Sequence, residues 1–137
     1  MTLSRDHHHA LVIAMTLARA GERTARSSAT LYADFIVEHE AQHFAIEEEL
    51  LLPALPATER GAALAERIRA EHRELCAAAR QLRAPALEPP LERLHELAGR
   101  LRDHVKLEER ELFPYLEETL APEQLELIGA QIAAERS

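Results

Sequence analysis

Two histidine–glutamate pairs, His43 with Glu47 and His104 with Glu108, are each set four residues apart in this 137-residue chain. On an α-helix, positions four apart differ by roughly 40° and lie about 6 Å apart along one face. Each pair therefore points an imidazole nitrogen and a carboxylate oxygen the same way. Those atoms suit iron, zinc or manganese, and a carboxylate can bridge two cations. Acid–histidine neighbours occur at Asp6-His7, extended by His8 and His9, and at Glu71-His72, while His39 lies one turn before His43.

Rotation counting puts these groups on apolar faces. Tyr32, Ile36, His39, Glu47 and Leu50 fall within about 40° of His43, and Leu97, Leu101, Glu108, Leu112 and Tyr115 form the matching stripe around His104. Leu75, Ala79 and Leu82 share the inner side with His72. Burying carboxylates or unpaired imidazoles in a dry core costs several kcal/mol, and metal ions are the natural offset. Four or five histidines with two glutamates exceed what one ion needs, which favours two.

Not every polar residue nearby belongs to such a site. Glu48 and Glu109 turn about 100° further and read as surface groups or as supports for the ligands. His7 aligns with Leu3, Ala10, Leu11 and Ala14, and His8 with Leu11, Val12 and Met15; both are candidates, and the parallel with Glu71-His72 favours His7. His39 stands between a ligand and a supporting residue. Cys76 reads as a small core residue in preference to a ligand, His9 and His95 as solvent-facing, and Tyr32 and Tyr115 as core packing.

The elements that must position these groups are helices. Ala, Leu, Glu and Arg dominate and Gly occurs only four times, so summed propensity favours helix throughout. A first helix is expected from Ser4 to Gly21, a second from Ser28 to Leu52 ending at Pro53, a third from Thr58 to Leu82, and a fourth from Pro90 to Pro114, where proline should kink or end it. RAPALEPP separates the third from the fourth, and a short fifth helix follows Pro122. Short links make an all-α, up-down-up-down four-helix bundle the economical arrangement, as one domain over residues 1–137.

An internal repeat supports this layout. His43 to Leu55 overlays His104 to Leu116 without a gap, with the histidine, both glutamates, a leucine, the proline and the last leucine coinciding. Each copy follows a helix bearing an acid–histidine pair, so two related helix pairs should face each other across a pseudo-two-fold axis.

The formal charge of −8 comes from interleaved Arg and Glu without a basic stripe, which argues against nucleic acid. The longest apolar stretch, Ala10 to Ala18, is interrupted by Thr16 and too short to span a bilayer, and no charged leader with a cleavage site precedes it. Cys76 is the only cysteine, so no intrachain disulfide can form. These features predict a soluble, cytoplasmic protein with no membrane partner.

Asp6-His7-His8 on the first helix, HxxxEE then LLLP on the second, Glu71-His72 on the third and HxxxEE then LFP on the fourth resemble the hemerythrin-like, or HHE cation-binding, family over roughly Leu3 to Leu120. The resemblance implies a dinuclear non-haem iron centre. His7 or His8, His43, His72 and His104 would be terminal ligands, Glu47 and Glu108 would bridge, and one iron would keep a position for O2 or a related small molecule. Zinc or manganese could substitute. The third helix departs from the oxygen carriers, which present HxxxH where this chain has His72-Arg-Glu-Leu-Cys76; His39, Cys76 or water would have to fill that place.

The expected partners are then a small diatomic ligand or peroxide, with a homo-oligomer as a further option. The expected role is sensing, storage or detoxification. A metal-dependent peroxidase or ferroxidase, or a structural helical bundle, are the alternative readings.

Overall fold

The structure, a computed structural model, describes residues 3–83 and 89–136, with side chains over 6–83 and 89–135. Helices α1 (Leu3–Ala18), α2 (Ala25–Phe35), α3 (Ala41–Ile46), α4 (Glu59–Arg83), α5 (Leu91–Leu107), α6 (Phe113–Thr119) and α7 (Pro122–Arg136) follow in order. A π-helical turn, Ile36–Glu40, joins α2 to α3; a second, Glu47–Leu51, follows α3 and passes into a short 3-10 turn, Leu52–Ala54. A third π turn, Glu108–Leu112, joins α5 to α6. With α1 and α4 as the first and third rods of the bundle, residues 25–54 and 91–119 thus form the second and fourth.

The rods close into an all-α bundle. α1 packs on α5, α5 on α4, α4 on α2 and α2 on α1, as the up-down-up-down order requires, and α7 lies against the Glu47–Leu51 turn. Among the described residues no helix is long and apolar enough to cross a membrane.

Helix boundaries follow local chemistry. Thr58 caps α4 by accepting the Gly61 N–H at 3.1 Å on its side-chain oxygen. Pro90 holds extended geometry before α5, where its missing N–H is no loss. The second rod starts at Ala25, three residues before the expected Ser28, and α1 includes Ser4 rather than starting after it. Residues 84–88 of the expected RAPALEPP break lie outside the described residues.

Pro114 does not end the fourth rod, which continues to Thr119. A proline inside a helix loses one hydrogen bond and clashes with the carbonyl four residues back. Here the wide Glu108–Leu112 turn shifts the bonding register just ahead of it, and Pro114 falls in the first turn of α6, where both faults are tolerated. Pro53 follows its own π turn in the same way.

The apolar core is split into two clusters. One includes Ile13, Leu17, Tyr32, Ile36, Leu75, Leu94, Leu97 and Leu101; the other includes Ile46, Leu51, Leu64, Ile68, Leu107, Leu112, Leu116 and Ile132. Along α4 and the second and fourth rods the sequence changes from one cluster to the other beside a buried histidine: at His72 on α4, and just after His43 and His104 on the other two. A polar layer therefore crosses the middle of the bundle. Tyr32 and Tyr115 pack at a distance from it, with the Tyr32 hydroxyl donating to the Leu75 carbonyl at 2.8 Å.

Gly61 is needed for close approach: a Cβ there would run into the Pro56 carbonyl oxygen. Because that obstacle is backbone, Gly61→Ala should destabilise the protein by about 1–3 kcal/mol despite alanine's better helix propensity. A thermal or urea unfolding midpoint equal to the parent's would contradict this.

Candidate metal centre

Four imidazoles and two carboxylates meet in the polar layer. His7, His43, Glu47, His72, His104 and Glu108 are all no more than 3% exposed. On α4 the buried positions Leu64, Ile68, His72, Leu75 and Ala79 recur every three or four residues, and on the fourth rod Leu94, Leu97, Leu101, His104 and Glu108 do the same. The histidines are inside because they stand where leucine otherwise would.

Each imidazole is held from behind. His43 Nδ1 donates to Asp6 at 2.8 Å and His104 Nδ1 to Glu71 at 2.7 Å; His7 Nδ1 donates to Glu109 at 2.7 Å and His72 Nδ1 to Glu48 at 3.0 Å. An ionised carboxylate only accepts, so these contacts put the proton on Nδ1 and aim Nε2 inward. The arrangement obeys the internal repeat: the acid of α1 serves the histidine of the second rod, and the acid of α4 serves that of the fourth. Asp6 and Glu71 were visible in the sequence only as neighbours of histidines, and their role depends on which helix packs opposite.

The inward nitrogens face the two glutamates. His7 Nε2 lies 2.7 Å from Glu108, His43 Nε2 3.0 Å from Glu47, His72 Nε2 3.1 Å from Glu47, and His104 Nε2 3.3 Å from Glu108. Despite these distances, Nε2 of His43, His72 and His104, both oxygens of Glu47 and Oε2 of Glu108 lack a hydrogen-bond partner of sound geometry. A neutral imidazole anchored through Nδ1 turns a lone pair toward a carboxylate, which is repulsive unless a cation or a proton lies between. The donor atoms fall into two groups, His7–His43–Glu47–Glu108 and His72–His104–Glu47–Glu108, each within a span of 4.8 Å. Both glutamates are common to the two groups.

Electrostatics tells the same story for protons. Burial disfavours a charged His43, yet Asp6, Glu108 and Glu47 around it push its pKa up to about 12. Burial likewise opposes His104 and His72, which the surrounding carboxylates raise to about 10 and about 9. His7 is raised in the same way. Burial also opposes ionisation of Glu108, but the histidines hold it well below the usual range, while burial and then the charge of Glu108 raise Glu47.

Apolar rings wall the layer off. Phe113 stacks on His7 with ring centroids 5.4 Å apart, and Phe44 stacks on His72 at 4.0 Å.

The structure does not bring His8 or His39 to this point, which corrects the expectation for both. His8 is exposed on α1, and His39 is exposed with its ring 5.5 Å from His9 and 6.2 Å from Phe35. The Ile36–Glu40 turn holds the extra residue of a π turn and slips the face by about one position, so Glu40 is buried in its stead. The Glu47–Leu51 turn causes the same slip, burying Leu51 where an unbroken helix would bury Leu50. Cys76 packs against the apolar cluster, where burial raises its thiol pKa, and belongs to neither donor group. His9 and His95 are exposed, and His95 Nε2 donates to the Ala20 carbonyl at 2.9 Å.

A helical bundle crossed by a layer of converging imidazoles and shared carboxylates defines a metal-binding protein of the four-helix class. The hemerythrin HHE cation-binding domain family matches residues 2–116, and the chain belongs to that family. No curated protein and no solved structure matches it.

Without a cation the raised histidines have a pH consequence. A group whose folded pKa lies above its unfolded value of about 6.5 contributes stability that is complete below that value and lost as pH climbs through the folded pKa. Chelator-stripped protein should therefore lose stability as pH rises through about 9, 10 and 12, the values for His72, His104 and His43. Metal-loaded protein should resist this, because the ion replaces the protons. Melting curves against pH check it, and a stripped protein that gains stability over this window would contradict it.

Proposed function

We propose that this protein is a non-haem di-iron protein that binds or reacts with O2 or a related small molecule, peroxide or nitric oxide, in sensing, storage or detoxification. The observation that carries this reading is the pair of donor groups sharing Glu47 and Glu108. His7 and His43 would hold one ion, His72 and His104 the other, and the two glutamates would bridge. Zinc or manganese suits the same donors.

Two imidazoles and two shared carboxylates would give each ion four protein groups, fewer than the six that iron commonly takes, and would leave room for an external ligand. His39 and Cys76 do not add a fifth, so the chain has two histidines per position where the oxygen carriers have an additional one. Bound iron would supply a redox-active Lewis acid at the centre of the bundle. Only two anionic side chains face the ions directly, so high-valent iron is less stabilised than in carboxylate-rich, ExxH-bearing bundles, which favours small-molecule binding over oxygenation.

The chain's own residues do the rest. Asp6, Glu48, Glu71 and Glu109 fix each imidazole and raise its basicity, as carboxylates behind metal-bound histidines do. Phe44 and Phe113 keep water from the ligand nitrogens. The single cysteine agrees with a reducing compartment such as the cytoplasm.

Protein loaded anaerobically with ferrous iron should gain a ligand-to-metal charge-transfer band on exposure to air or peroxide, and absence of any band with full loading would end this reading. Glu47→Gln and Glu108→Gln should each lose at least one metal per chain by elemental analysis. His8→Ala and His39→Ala should retain both.

A further inference from the structure

The repeat pairs nearly every polar group of the centre with a counterpart: His43 with His104, Glu47 with Glu108, Glu48 with Glu109, Asp6 with Glu71, and His7 with His72. Each pair makes matching contacts. Glu40 breaks the pattern. In the same register its counterpart is Leu101, which is 1% exposed and packs in the apolar cluster.

Glu40 is 2% exposed, and its Oε1 lies 3.9 Å from His43 Nδ1 with no hydrogen-bond partner. It lies beside Asp6 as well, since the three residues form a compact group of donor atoms. The backbone differs too: Glu40 ends the Ile36–Glu40 π turn, whereas residues 97–101 lie within the regular helix α5. Packing does not call for a carboxylate at this place, because leucine fills the equivalent position in the other half. A carboxyl oxygen buried without a donor is costly, and this one is kept beside one histidine of one half only.

We propose that Glu40 makes the two metal positions unequal, so that the one formed by His7 and His43 takes its divalent cation first and more tightly than the one formed by His72 and His104. This rests on the metal-centre reading above. A cation on His43 Nε2 withdraws electron density from the ring and makes its Nδ1–H more positive, toward both Asp6 and Glu40. In a dry core that attraction is larger than in water, and it relieves the cost of the buried acid. His104 has Glu71 behind it and leucine where the second acid would be. Glu40 acts through His43, as a positioning residue and not a ligand.

The test is a Zn2+ titration of stripped protein carrying isotope-labelled histidine nitrogens, which reports each ligand separately. The first equivalent should shift Nε2 of His7 and His43, and the second that of His72 and His104, with affinities differing by roughly tenfold or more. Glu40→Gln, which keeps the shape and replaces the carboxyl with a neutral amide, should bring the two steps together. Glu40→Leu should do the same, and the exchange Glu40→Leu with Leu101→Glu should reverse the order; if that double variant does not fold, Glu40→Gln decides.

Simultaneous filling in the parent, filling of His72 and His104 first, or an order unchanged by Glu40→Gln would overturn the proposal. So would a third equivalent of Zn2+ lost with Glu40, which would make it a ligand in its own right. If no imidazole responds to Zn2+, Co2+ or Fe2+, the metal centre itself fails, a result distinct from two ions bound without preference.

Discussion

The structure depends on an unfavourable encounter: imidazole Nε2 atoms from four rods turned toward two buried carboxylates, with their Nδ1 atoms already committed to other acids. Such a layer is repulsive unless positive charge occupies it, as protons or as metal ions. Everything around it serves to hold that arrangement together. Two apolar clusters sandwich the layer, phenylalanine rings cover His7 and His72, and four outer carboxylates stop the imidazoles from rotating away.

The π turns are part of the same solution. In two of the three, the first residue is a shared glutamate, Glu47 or Glu108, and the proline of the repeat follows the turn within two residues. A widened turn carries one residue more than an α turn, so the helix can present a glutamate on the polar layer and still return leucine to the core on the next turn. Leu51 and Leu112, at equivalent places in the two copies, are both fully buried there. Such turns are common at functional sites, and here the buried glutamate that opens each of the two turns gives the reason.

Duplication explains most of the centre's geometry. Asp6 reaching His43 and Glu71 reaching His104 are one contact made twice, and His7 with Glu109 and His72 with Glu48 are another. The result is two histidines per half, with the exposed His39 and the half-buried Cys76 outside both donor groups. Against this near-symmetry, the burial of Glu40 opposite Leu101 is a local difference in both side chain and backbone.

Sequence by itself determined the helices, the bundle and five of the six inner residues, because helical periodicity places His43, Glu47, His72, His104 and Glu108 on apolar stripes; for the sixth the repeat favoured His7 without excluding His8. Only the tertiary structure decided between His7 and His8, removed His39, buried Glu40, carried the fourth rod past Pro114 and made Asp6, Glu48, Glu71 and Glu109 the anchors of the imidazoles. Rotation counting assumes an unbroken 3.6-residue helix, so a single π turn changes which neighbour faces inward. An anchor is defined by the helix across from it, and that partner is a property of packing, which one helix's sequence does not contain.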